Sequence, residues 1–166
     1  MTSYSAVTLV RTAILALGVT ALSATQLAAQ GPTPIGKKHI YLTEANAKAD
    51  IAAAIVKARK EHKRIILDFG GDWCGDCQVL DIYFHQAPNA DLLAKHFVLV
   101  HVDIGQYDHN TDVAKKYKIP LAKGVPALAV LNPSGTLLLS QENKEFTHMS
   151  TMTPQSVTEF LNRWKS

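Results

Sequence analysis

Three short apolar runs, RIILDF (64–69), FVLVHVD (97–103) and VPALAVL (125–131), do most to limit the folds open to this chain. None alternates strictly between apolar and polar residues, as a strand with one wet face would. Apolar residues at successive positions mark a strand covered on both sides, the pattern of a parallel sheet lined by helices. The intervening stretches are helical in character. LTEANAKADIAAAIVKARKEHK is alanine-rich, with Thr43 placed to cap it and Glu44 in its first turn. Ile51, Ile55, Ala58 and His62 share one face of it, with Ala52 and Val56 alongside. QVLDIYFHQ reads as a second helix and TDVAKKYK as a short one capped by Thr111. TPQSVTEFLNRW has Thr153 at the cap, Pro154 at the first helical position and an apolar stripe of Val157, Phe160, Leu161 and Trp164. NPSG (132–135) is a turn, and TLLLS after it returns as a fourth strand, antiparallel to the third because so short a link permits only a hairpin. The expected architecture is α/β: a four-stranded mixed sheet between helices, with one extra helix ahead of the first strand.

The N-terminus stands apart from this pattern. MTSYSAVTLVRTAILALGVTALSATQLAAQ holds one charge, Arg11, an apolar core from Thr12 to about Ala24, and then small residues. That is the layout of a secretory signal peptide, with residues 1–29 removed after Ala29. The core is short of the roughly 20 residues a membrane span needs. Residues 30–42, with two prolines and two glycines, read as an extended arm, and 43–166 as one domain. With 17 basic against 14 acidic residues, the charge is too even to suggest a nucleic-acid partner.

Both cysteines of the chain lie in FGGDWCGDC (69–77), between the end of the first strand and the start of the second helix. An exported chain meets an oxidising compartment. A disulfide closing so small a loop constrains the unfolded chain little, so a purely structural staple is a weak explanation. A helix N-terminus favours a thiolate, the reactive form in disulfide exchange. Cys74, first on the helix and the better exposed, suits the attacking thiol. Cys77, one turn on and further inward, suits the resolving thiol that releases the partner. A second reading is a copper or zinc metallochaperone using the pair and a histidine, with His85, His101 or His109 as the third ligand. A third is a binding module in which the pair merely tethers a partner. Against a metal role, His101 and His109 read as residues of a strand end and a polar loop, His85 as a residue of a helix, and Asp103 as the end of its strand.

DFGGDWCGDC, GVPALAV and NPSGTL together resemble the thioredoxin family, over about residues 65–164. The resemblance implies the thioredoxin fold and a thiol–disulfide oxidoreductase. It makes Cys74 the attacking and Cys77 the resolving cysteine, with Trp73 covering the disulfide and a cis bond from Val125 to Pro126 facing it. Asp68 matches the buried acid behind the second cysteine, able to exchange a proton with it. No metal or organic cofactor is implied, since the electrons pass through the cysteines. The expected partners are cysteine-containing exported proteins and a membrane electron donor, in the periplasm if the source is a diderm bacterium. The chain departs from the family at Gly75-Asp76, where Gly-Pro is usual, at Gly70 in place of a tryptophan, and at Gln78 in place of a lysine. It also lacks a lysine in VLVHVD, and its KIPLAKGVP segment is long. Asp72 and Asp76 set negative charge around Cys74 and disfavour its thiolate, which points to a reductant or isomerase rather than a strong oxidant.

Overall fold

The computed structural model describes residues 38–143 and 145–166, all within one compact unit, Gly36–Ser166. The expected signal peptide and the start of the arm lie outside the described residues. The elements are α1 (Ala47–Glu61), β1 (Arg64–Gly70), α2 (Gly75–Phe84), α3 (Asn89–His96), β2 (Phe97–Asp103), α4 (Thr111–Lys116), β3 (Ala127–Leu131), β4 (Leu137–Ser140) and α5 (Pro154–Trp164). The strands form one mixed sheet in the order β2-β1-β3-β4. β1 and β2 are parallel, while β3 runs antiparallel to both β1 and β4. This is the expected fold, with α3 as an element the sequence pattern did not suggest.

β1 sits in the middle of the sheet and is buried along its length from Ile65 to Gly70. Its alternating side chains feed two cores. Ile65, Leu67 and Phe69 pack with Ile51, Ala54 and Ala58 of α1, while Ile66 packs with Leu80 and Phe84 of α2 and with Phe160 and Leu161 of α5. Each such leucine or phenylalanine taken from water contributes roughly 1.5–3 kcal/mol before chain entropy is counted. The stripe expected on α5 is the buried one, Val157, Phe160 and Leu161, with Trp164 half-buried at its end.

Helix α1 differs from expectation in its start and its face. Asn46, not Thr43, is the cap, accepting a hydrogen bond from the Ala49 N–H, and Asp50 rather than Glu44 is the acid of the first turn. The buried face is Ala47, Ile51, Ala54 and Ala58, and Val56 is 68% exposed. His62 is not on that face. It ends the helix in the left-handed region at φ 55°, where its N–H returns to the Ala58 carbonyl. Val56 falls on the opposite side of the helix from Ala47, Ile51, Ala54 and Ala58, and so it faces solvent. Helix α4 likewise starts after Asn110, with Thr111 inside it.

Candidate active site

β1 ends at Gly70, and the chain turns through Gly71, Asp72 and Trp73 into α2, with Cys74 as its cap. Cys74 and Cys77 form a disulfide, their Cα atoms 5.2 Å apart. The Cys77 N–H points at Cys74 Sγ from 3.1 Å. A sulfur receiving a backbone N–H at the positive end of a helix is set up to carry negative charge once reduced. Of the two, only Cys74 retains accessible surface, 6% against 0% for Cys77.

Val125 and Pro126 lie opposite. The bond between them is cis, and the Val125 carbonyl oxygen is 3.6 Å from Cys74 Sγ. The β1–β3 ladder stops at Phe69 and Ala127, so the Val125 backbone stands outside it. Trp73 is 39% exposed, and its indole N–H donates to the Gly105 carbonyl at 2.6 Å. Its ring lies 5.6 Å from that of Tyr107 and packs flat enough on Gly71 that a Cβ there would meet Nε1 at 2.6 Å. Gly75 has open space where a side chain would be, so no close approach requires glycine there. Asp76, in the first turn of α2, accepts from the Ser150 N–H at 3.3 Å.

Asp68 of β1 is fully buried. Its Oδ2 accepts the Tyr41 hydroxyl at 2.7 Å and faces His101 Nδ1 at 2.9 Å, while its Oδ1 has no partner. The His101 contact follows from sheet register, since parallel pairing of β1 and β2 sets Asp68 directly beside His101. Burial alone would depress the His101 pKa, but the hydrogen bond and charge of Asp68 outweigh it and raise the value above the usual 6.5. Burial, reinforced by Asp68, holds the Tyr41 hydroxyl well above its ordinary pKa of 10.0.

Tyr41 belongs to the arm, which is fastened across the site. Asp72 Oδ1 accepts the N–H groups of Ile40 and Tyr41 at 2.8 and 2.9 Å, and Oδ2 pairs with His39 Nδ1 at 2.9 Å. Burial pushes the Asp72 pKa up, but these bonds prevail and lower it below 3.8. Lys38 pairs with the buried Asp81 of α2 at 2.9 Å, and its backbone carbonyl accepts from the Gln78 side chain at 2.9 Å.

Of the residues singled out in the sequence, Cys74, Cys77 and Val125-Pro126 meet at the disulfide, Trp73 directly precedes it, and Asp68 lies on β1 against Tyr41 and His101. Tyr41 was not among them, and His101 read as an ordinary strand residue. The signal for His101 was available, because aligning β1 and β2 in parallel from Arg64 and Phe97 pairs it with Asp68. The histidines do not gather at the cysteines: His85 pairs with Asp81, His101 with Asp68 and His109 with Asp103. No three metal-ligating side chains converge among the described residues.

Comparison with known proteins agrees with this geometry. A family model described as thioredoxin-like matches residues 46–133. A solved structure of a disulphide isomerase from Xylella fastidiosa Temecula1 superposes with a TM-score of 0.73 at 30% identity, covering 76% of this chain and 96% of that one. A thioredoxin from Thermus thermophilus shares the fold, with a TM-score of 0.51 at 16% identity over 68% of this chain and 81% of that one. The thiol:disulfide interchange protein DsbD of Pseudomonas fluorescens is 24% identical over 62% of this chain, which spans only 17% of that protein. The chain belongs to the thioredoxin-like family of thiol–disulfide oxidoreductases.

Proposed function

We propose that this protein is an exported reductase or isomerase of protein disulfides. Cys74 thiolate attacks a substrate disulfide, forming a mixed disulfide and releasing one substrate thiolate. Cys77 then attacks Cys74 Sγ, the bond to the substrate breaks, and the second substrate thiol departs as the Cys74–Cys77 disulfide forms. The observation that carries this reading is the asymmetry of the pair: Cys74 caps α2 with its sulfur toward the Val125 carbonyl, and Cys77 is wholly buried one turn behind. The Val125 backbone, free of the ladder, can pair with an extended substrate segment, with Trp73 and Pro126 bordering it. The substrates are cysteine-containing exported proteins, and a membrane electron donor returns the pair to the dithiol.

The direction rests on charge. Asp72 and Asp76 flank Cys74 in sequence, and no lysine, arginine or histidine lies within the motif to favour the thiolate. A helix N-terminus contributes only about 0.3–1 kcal/mol for an exposed group. The reduction potential is therefore expected near ~−270 mV rather than the ~−120 mV of a strong oxidant. Equilibration against a series of glutathione buffers measures it, and a value above about −170 mV would overturn the reductase reading.

A further inference from the structure

No motif marks Tyr41, yet it is 1% exposed and its hydroxyl donates to the buried Asp68. A Cβ at Gly70 would stand 2.5 Å from the Tyr41 hydroxyl and 2.8 Å from Cys77 Sγ, so the two groups border one small space that glycine leaves open. The hydroxyl and His101 Nδ1 both engage Asp68 Oδ2, and the Tyr41 and His101 rings meet edge to face at 5.3 Å. Two partners on one oxygen fix the plane of the carboxyl and leave Oδ1 alone. Asp68 and Gly70, two residues apart on β1, point to the same face of the sheet, and the Gly70 position looks onto Cys77 Sγ.

We propose that Tyr41 is a positioning residue for the resolving step, holding the Asp68 carboxyl so that Oδ1 takes the proton from Cys77. The inference rests on the oxidoreductase reading. In that step the Cys77 thiol gives its proton to Asp68 Oδ1, and its sulfur bonds to Cys74 Sγ. The bond from Cys74 to the substrate sulfur breaks, and the electron pair leaves on that sulfur, which takes a proton from solvent. The cysteine pair is oxidised by two electrons and the substrate disulfide reduced by two. The proton on Asp68 returns to Cys77 when the donor reduces the pair again. The Tyr41 hydroxyl donates to Asp68, and burial together with the charges of Asp68, Asp81 and Asp72 raises its pKa. His101 is faced by Asp68 of β1, Asp81 of α2 and Lys38 of the arm, with Asp50 and Lys57 of α1 lining the groove beside it. Because the arm carrying Tyr41 is held by Asp72, two residues before Cys74, the attachment of the arm and the resolving step are linked.

Tyr41→Phe keeps the ring and deletes the hydroxyl. Reduced wild type and variant are mixed with a disulfide-bonded peptide in stopped flow, and the Trp73 fluorescence change is resolved into a concentration-dependent attack and a concentration-independent resolution. The expected result is a resolution rate about fivefold to tenfold lower, as for one lost hydrogen bond, with its pH midpoint displaced. Attack by Cys74, isolated in a Cys77→Ser background, should change far less. His101→Phe, which removes the other partner of Oδ2, should slow the same step. The inference is overturned if resolution rate and pH midpoint are unchanged in Tyr41→Phe, whatever His101→Phe does, or if attack and resolution fall together in step with melting temperature. A wild type that exchanges no disulfide overturns the oxidoreductase reading as well, an outcome distinct from a competent wild type indifferent to Tyr41→Phe.

Discussion

Cys74 and Cys77 are one helical turn apart and joined by a disulfide, yet their surroundings are opposite. Around Cys74 the partners come from the ends of elements: the helix cap, the Val125 carbonyl and the exposed Trp73 ring. Around Cys77 they come from packing: the bare Gly70 backbone and the arm tyrosine, whose hydroxyl also donates to the buried Asp68. One sulfur is arranged to meet another molecule, and the other to be supplied from within. The division of labour proposed for disulfide exchange rests on that difference and not on any chemical difference between two cysteines.

Cys74→Ser breaks the comparison on its outer side and has the largest expected effect, loss of turnover in a dithiol-driven disulfide reduction assay, with folding retained in circular dichroism. Gly70→Ala breaks it on the inner side. Its Cβ cannot occupy a point 2.5 Å from the Tyr41 hydroxyl and 2.8 Å from Cys77 Sγ without displacing one of them. Overpacking of this kind costs about 1–3 kcal/mol, readable as a lower midpoint in urea. Asp72→Ala should cost about 1 kcal/mol by leaving the Ile40 and Tyr41 N–H groups without their acceptor. The sign of its pH dependence is fixed by its lowered pKa. The Asp72 contribution is present above the unfolded value of 3.8 and lost as pH falls through the lower folded value, so Asp72→Asn should flatten that part of an acid-unfolding curve. The smallest effect is expected at His101, whose pKa is raised. Its contribution is complete below 6.5 and lost as pH rises through the folded value, so His101→Leu should remove a mild alkaline decline in thermal stability.

The outer side of the site was legible in the sequence because its signals are local. An apolar strand, Trp73-Cys74, a helix start and Val125-Pro126 are each readable within a few residues. The sheet was legible for the same reason, as continuous apolar runs separated by a turn. The inner side was not. His101 gains its role only through strand register, and Tyr41 only through the folding of an arm whose composition suggests nothing but extension. The absence of a tryptophan at Gly70 marked a gap without naming what fills it. Helix α3 went unread because it is eight residues long, starts without a side-chain cap, and passes directly into the apolar run of β2. The start of α1 was misplaced because Thr43 and Asn46 are both suitable caps, and only the docking of the arm at Ile40 and Tyr41 decides where the helix begins.

Covalent trapping distinguishes an attacking Cys74 from a resolving Cys77. Cys77→Ser and Cys74→Ser are each incubated with a disulfide-bonded peptide and separated on non-reducing gels. Cys77→Ser is expected to accumulate a mixed disulfide through Cys74 that dissolves on adding dithiol, while Cys74→Ser, left with a buried thiol, accumulates almost none. Equal trapping through Cys77 in the Cys74→Ser variant would contradict that assignment of roles.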